Sequence, residues 1–483
     1  MIEGANNLNR VIGYPNKTIK QFYCLLAILI VLTVGVGIVT PRFSVILLTQ
    51  IILILAMAVF GMFLSYFRSR LFIIYLLIIW SSMPGIRRVS DWILGEYQSI
   101  SLLSIAPLLL TATIIFSLMH KKLTYDNEQK KIIYCFVGAF IYAFAIGIIN
   151  NRGSALYEMA NYVIPFLVFV YSASLSKHEM KFRDLWLSSL STIAVFISIY
   201  GWIQYFYLPE WDKLWMENVE MNSIGIAEPM NFRIFSTLNS PGPFALFLSI
   251  AIVPMILEKR WRGLFGWVGV FIVLSALAIS LIRSSWIFAI VAIIVYIFFS
   301  RSIWKKIKYL SLIAIVVIIL INIVNLIPGA AQINERLSTL ANLEEDTSFN
   351  ARLNFTIEMS KKILKNPLGN GFGSSGVSTK LGNNGSLGEN GNFDNGILNV
   401  FFTFGWVGGA LFFTGLFLLF QMLRRKLVII PSHQSYYQLG IAMIIALLIS
   451  LLGLNSMPGI GGFLIWFMIS MSFMREDREN ISR

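Results

Sequence analysis

Residues 241–300 read PGPFALFLSIAIVPMILEKRWRGLFGWVGVFIVLSALAISLIRSSWIFAIVAIIVYIFFS. They hold three apolar runs, 241–257, 263–281 and 284–300, each close to the length at which a helix crosses a bilayer. A short loop with Lys259, Arg260 and Arg262 joins the first two. The second and third are joined by a turn so tight that Arg283 has almost no loop to hold it in water. Such a sequence folds as helical hairpins in lipid.

The pattern repeats in both directions. Before this stretch, candidate spans fall at about 20–40, 43–67, 71–83, 101–119, 131–149, 157–176 and 185–207. After it they fall at about 307–327, 397–420, 436–454 and 460–474. The 483 residues are 57% hydrophobic and only 13% charged, where a soluble chain carries roughly 25% charge. We therefore expect an all-α polytopic membrane protein with about 12–14 transmembrane helices. Residues 1–327 form the first membrane part, with about 11 spans and an outer loop at 208–240. Residues 328–396 form one large extracytoplasmic loop carrying amphipathic helices, and 397–483 form the C-terminal spans.

Charge orients this array. With the N-terminus inside, alternate loops carry Lys17 and Lys20, Arg68 and Arg70, Lys121 and Lys122, Lys181 and Arg183, Lys259 to Arg262, Lys305 and Lys306, Arg424 to Lys426, and Arg475 and Arg478. The opposite short loops are at most weakly basic, so both termini are expected in the cytoplasm. The net charge of +14 then reflects orientation and contact with anionic membrane lipids, not nucleic acid. Cys24 and Cys135 both fall within spans, which argues against a disulfide framework or a thiolate zinc site. All three histidines, His120, His178 and His433, fall in cytoplasmic loops, which removes histidine chemistry from the outer face. The Ile, Phe, Lys and Asn usage is that of an AT-rich, bacterial genome.

Within 328–396, a helix is expected from Thr347 or Ser348 to just before Pro367, presenting Phe349, Leu353, Ile357, Ser360 and Leu364 on one face. The following GNGFGSSGVSTKLGNNGSLGENGNFDNG, residues 369–396, is too rich in glycine and asparagine for regular structure. It reads as a flexible flap over a binding site or as a plain linker. A nucleotide loop is excluded, since no strand precedes it and no lysine follows at the required spacing.

The outer face also carries arginines beside polar residues. Arg233 stands before NSPGP, and Arg283 in the tight turn. Arg87 and Arg88 follow a short helix ended by Pro84-Gly85, and Arg152 sits in NNRG. A guanidinium is permanently charged and its fork fits phosphate oxygens, and such a charge at an apolar boundary is costly unless an anion or water meets it. Binding an anion is the reading for Arg233 and Arg283, with snorkelling to lipid headgroups as the plain alternative. For Arg87, Arg88 and Arg152 snorkelling is the better reading. Glu158 is expected to pair with Arg152 or to line a cavity. Asp394 is a general base, an anchor for an arginine, or a helix N-cap.

Five segments carry a resemblance: YGWIQYF (200–206), RIFSTLNSPGPFALFL (233–248), SLIRSSWIFAI (280–290), ARLNFTIEMSKKILKNPLGNGFG (351–373) and DNGILNVFFTFGWVGG (394–409). In this order they resemble segments of the O-antigen ligase/polymerase superfamily. The resemblance implies a GT-C-like membrane glycosyltransferase, working on the outer face of the bacterial cytoplasmic membrane with no cofactor, nucleotide or metal. Its donor and acceptor would be glycans on undecaprenyl diphosphate, and flippase and chain-length regulator proteins would be its associates. By the same resemblance Arg233 and Arg283 bind the donor diphosphate, and Arg352 and the Asp394-Asn395 pair cover the cleft. Asn239 and Gln204 would orient sugar or phosphate oxygens. Ligases of this family carry histidine before that asparagine, whereas this chain has Asp394, as is more familiar among polymerases. The resemblance thus implies a Wzy-type polysaccharide polymerase, with a ligase, a shape–elongation–division cell-wall polymerase and a polysaccharide flippase as rivals.

Overall fold

The computed structural model describes residues 43–98, 101–120, 125–175, 179–219, 221, 224–300, 304, 306–307, 347–383, 385–391, 393, 395–430 and 433–473. The chain divides into two compact units, Met1–Phe60 and Gly61–Arg483. The helices in order are α1 (Phe43–Tyr66), α2 (Leu71–Leu94), α3 (Ala106–Ala112), α4 (Ile114–His120), α5 (Asn127–Asn151), α6 (Gly153–Ala173), α7 (Arg183–Tyr207), α8 (Glu210–Asn218), α9 (Pro241–Leu257), α10 (Gly266–Ile279), α11 (Arg283–Phe298), α12 (Thr347–Lys365), α13 (Gly396–Ile429), α14 (Gln434–Ser450) and α15 (Gly459–Phe473). No strand accompanies them among the described residues. Six, namely α1, α2, α5, α6, α7 and α13, are long and apolar enough to cross a membrane. The protein is an all-α polytopic membrane protein. The expected spans at 20–40 and 307–327 lie outside the described residues.

Several shorter apolar helices sit at the centre. From Phe244 to Leu257 every residue of α9 is buried, as is every residue of α15 from Gly461 onward. A helix that is apolar all round needs protein or lipid on all sides, and α9 finds it against α7, α10, α11 and α15.

From α5 onward the bundle helices of the second unit alternate in direction. At one end Glu258 accepts hydrogen bonds from Tyr296 (3.1 Å) and Ser435 (3.0 Å). Asp184 there accepts from Trp261 (2.7 Å) and Tyr436 (2.5 Å), Arg68 donates to the Ser174 carbonyl (2.9 Å), and Arg425 pairs with Glu128 (2.9 Å). The basic loops at Arg68, Arg183, Arg260 and Arg425 therefore share an end. The C-termini of α2, α5, α7 and α10 and the N-termini of α6, α9, α11 and α13 lie at the other. That second end carries the candidate site.

Two expectations need correction. Pro84-Gly85 does not end its helix: α2 runs through Pro84 to Leu94 and carries Arg87 and Arg88 inside the fold. Its proline removes one N–H, and Gly85 gives the chain room, because a Cβ there would lie 3.2–3.3 Å from Thr237. The second concerns α12, which begins at Thr347 and stops before Pro367 as expected but buries a different face. Met359 and Ile363, with Phe355, pack on Phe393, Leu398, Phe401 and Phe402. Leu353, Ile357 and Leu364 are exposed. The sequence offers two apolar stripes at helical spacing, and the aromatic wall of α13 selects between them.

Candidate active site

The segment before α9 is held by a buried ion pair. Asp212 lies in the first turn of α8, just after Pro209 has broken the chain from α7. Arg88 reaches it from α2, Nε to Oδ1 at 2.6 Å, with neither side chain exposed. The rest of the guanidinium donates to the Leu238 carbonyl (2.5 Å) and to the Ser236 carbonyl. The other Asp212 oxygen accepts from Tyr200 (2.7 Å) and Gln204 (2.8 Å), one turn apart on α7. Gln204 Oε1 then accepts the main-chain N–H groups of Phe235 (3.2 Å) and Ser236 (2.8 Å). Both edges of 235–238 are thus grasped, and Ser236 is held at φ 53°, a left-handed conformation that serine rarely takes.

The consequence is a fixed platform for Arg233. Its N–H donates to the Ile224 carbonyl at 2.8 Å, Gly225 pairs with Phe232 in an antiparallel bridge, and its side chain is half-buried. Asn239 follows the clamp and is exposed. Gln204, by contrast, has its amide engaged wholly within the chain. The snorkelling reading of Arg88 is overturned, because the charge is met by Asp212 and backbone carbonyls.

Arg283 opens α11 immediately after a turn in which Leu281 has φ 56°. Trp286 Nε1 donates back to the Leu277 carbonyl at 2.9 Å and fastens that turn. Arg283 is half-buried, at the same end of the bundle as Arg233. Asn395 caps α13, its Oδ1 accepting the Leu398 N–H at 3.0 Å, and the Gly396 N–H donates to the Leu451 carbonyl at 2.7 Å. The cap of this helix is thus Asn395. Asp394 lies outside the described residues, and Arg352 falls in the second turn of α12.

The start of the glycine-rich stretch 369–396 departs from both of its expected readings. Residues 367–373 are neither flap nor linker but are spliced into the bundle. Helix α13 breaks at Gly405, with φ 62° and ψ −171°, and the broken bonds are remade by the incoming loop. Asn370 N–H donates to the Phe402 carbonyl (2.9 Å), Gly371 N–H to Thr403 (2.9 Å), and Trp406 N–H to Pro367 (2.9 Å). Phe372 donates to the Ala143 carbonyl of α5 (3.0 Å) and is buried among Phe140, Tyr162 and Phe404. Glycine is required here by contact as well as by φ. A Cβ on Gly371 would collide with the main-chain N of Gly147, and one on Gly369 with that of Gly405.

Glu158 completes this plug. Buried on α6, it accepts from the Gly373 N–H and the Ser378 hydroxyl (3.2 Å), while Arg152 is exposed. The expected pairing of these two gives way to a loop anchor. Nearby, Asn399 of α13 donates to Ser375 Oγ at 2.6 Å and accepts from Tyr162 at 3.1 Å. The sequence reading missed Asp212, Tyr200 and this buried role of Glu158. The i, i+4 spacing of Tyr200 and Gln204, followed by an acidic residue after Pro209, was the available signal.

Residues 268–413 match the family model of O-antigen ligase. Over that stretch the chain is similar to the O-antigen ligase/polymerase family. The matched stretch runs from α10 through the break in α13, and so covers Arg283, Arg352, the Gly-x-Gly-x-Gly plug, Asp394 and Asn395. Arg233, Asn239 and Gln204 precede it. This likeness to the O-antigen ligase/polymerase family supports a role in glycan assembly, as a polymerase or a ligase. Comparison with curated proteins and with solved structures gives no match.

Proposed function

We propose that this protein is a polysaccharide polymerase, joining oligosaccharide repeat units carried on undecaprenyl diphosphate at the outer face of the bacterial cytoplasmic membrane. The observation that carries the reading is that Arg233 and Arg283 stand at one end of the bundle, each fixed by its own clamped turn, with Arg283 inside the O-antigen ligase match. Two preorganised guanidinium groups at a membrane boundary suit a lipid-linked diphosphate.

In the reaction, a hydroxyl oxygen of the acceptor sugar attacks the anomeric carbon of the donor. The bond from that carbon to the diphosphate oxygen breaks, and undecaprenyl diphosphate leaves with the electron pair. Arg233 and Arg283 stabilise the charge that grows on this oxygen. Asp394 takes the hydroxyl proton, attack from the opposite side inverts the anomeric centre, Arg352 covers the reactants, and Asn395, as the cap of α13, holds Asp394 in place beside them. Asn239, exposed beside the clamp, is free to orient a sugar oxygen, while Gln204 acts by holding 235–238. The aspartate at 394, where the family's ligases carry histidine, favours polymerisation over transfer to another acceptor.

The test is glycan length on gels from a strain lacking the protein, complemented with wild type, Arg233→Ala, Arg283→Ala or Asp394→Ala at matched expression. Loss of long polymer with retention of single units is the expected result. Long polymer that stays on its carrier would make the protein a ligase. Accumulation of lipid-linked units on the cytoplasmic side would make it a flippase.

A further inference from the structure

Between the α5–α6 turn and residues 370–390 lies an open cavity of about 720 Å³, within the ~300–1,000 Å³ usual for small-molecule sites. We propose that it is a saccharide subsite, seating a sugar of the transferred glycan away from the diphosphate; the proposal rests on the glycosyl-transfer reading above.

The wall chemistry selects the ligand. Asn150 and Asn390 present amides, each both donor and acceptor, while Leu381 and Phe402 supply apolar surface. A sugar has the same two characters, a rim of hydroxyls that donate and accept and a face of C–H groups. Among the described residues, charge on the wall is limited to one cation and one anion, Arg152 and Glu389. A diphosphate would call for a cluster of cations, so the cavity suits an uncharged, polyhydroxylated ligand.

Two further observations mark it as a site. Arg152 joins two long helices at φ 48° and ψ −119°, a conformation natural to glycine and costly for any other residue. The neighbouring glycine, Gly153, comes one position too late to relieve it, so the strain buys the placement of an exposed guanidinium at the cavity mouth. In addition, Asn390 Oδ1 is buried and accepts no hydrogen bond, where buried acceptors are nearly always satisfied. A sugar hydroxyl entering beside it supplies the missing donor.

The cavity is also preformed. Asn151 Nδ2 holds the carbonyls of Asn370 (2.9 Å) and Phe372 (2.8 Å), and Glu158 holds Gly373 and Ser378 from behind. Rigid walls spare a ligand the entropy of ordering them.

The test uses full-length protein in detergent and, as probe, the oligosaccharide repeat unit freed from its carrier by mild acid. Binding is read by calorimetry or saturation-transfer NMR, with undecaprenyl diphosphate titrated in parallel. Arg152→Gly removes the guanidinium while relaxing the backbone, and Asn390→Ala removes the unsatisfied amide. Gly382→Trp fills the cavity from a position whose Cβ would lie 3.4 Å from Ser154 Oγ, an ordinary contact. Each is expected to weaken oligosaccharide binding about tenfold or more, the effect of one or two lost hydrogen bonds, and to leave carrier binding unchanged. Equal oligosaccharide affinity in wild type and all three variants would overturn the subsite, as would a wild type that binds the carrier but no free oligosaccharide. Neither result touches the polymerase reading, which stands or falls on the glycan-length experiment with the null strain.

Discussion

Arg88 and Asp212 stand 124 positions apart and meet at 2.6 Å, with neither side chain exposed. The pair has little to do with surface charge. It ties α2 to the start of α8, and its spare donors hold the carbonyls of Ser236 and Leu238.

Removing one partner leaves an unmatched buried charge. Asp212→Ala and Arg88→Ala should each cost about 3–5 kcal/mol and release 233–238, with loss of polymer following from lost structure. Thermal unfolding in detergent measures the first effect. The double variant Arg88→Met with Asp212→Leu should recover much of the stability and little of the activity, because nothing then grasps the two carbonyls.

Gly371 and Gly385 share a positive φ, 75° and 88°, but have different neighbours. A Cβ at Gly385 meets nothing within 4 Å, whereas one at Gly371 runs into the Gly147 main chain. Gly385→Ala should cost only the conformational strain, about 1–2 kcal/mol. Gly371→Ala should expel the loop and abolish folded protein. Size-exclusion profiles of the two variants make the comparison, and equal behaviour would refute the plug.

Glu158 serves as an acceptor for two donors, Gly373 N–H and Ser378. Glu158→Gln keeps an oxygen there and should be tolerated. Glu158→Leu strands both donors and should cost about 1–3 kcal/mol for each. Limited proteolysis of 370–390 reads the loosening directly.

At Arg233 and Arg283 the shape of the cation is at issue. Arg233→Lys and Arg283→Lys keep the charge but lose the planar fork. Polymer formation should fall by about tenfold or more in each, the worth of one charge-assisted hydrogen bond, with stability unchanged. The assay uses purified lipid-linked units, and full activity in both variants would show that a point charge suffices.

Much of the fold was legible in the sequence because a bilayer demands long apolar helices and basic loops on one side. The starts and stops of α7, α9 and α11 lie within a few residues of the hydropathy limits, and the turn at Arg283 is where the short gap put it. Other features depend on distant partners. Pro84-Gly85 reads as a stop until Thr237 is seen against Gly85, and Arg88 reads as lipid-facing until Asp212 arrives from a different loop. The glycines at 369, 371 and 373 look like flexibility in one dimension. In three they are the only residues thin enough to lie on the backbones of α5, α6 and α13.

The break at Gly405 bears on how the chain is made. Inside hydrocarbon the freed carbonyls of Phe402 and Thr403 would have no water to turn to, and their partners, Asn370 and Gly371, are in a segment synthesised earlier. The loop and the broken segment of α13 therefore complete each other, and a chain that ends before residue 406 would leave the loop without its berth.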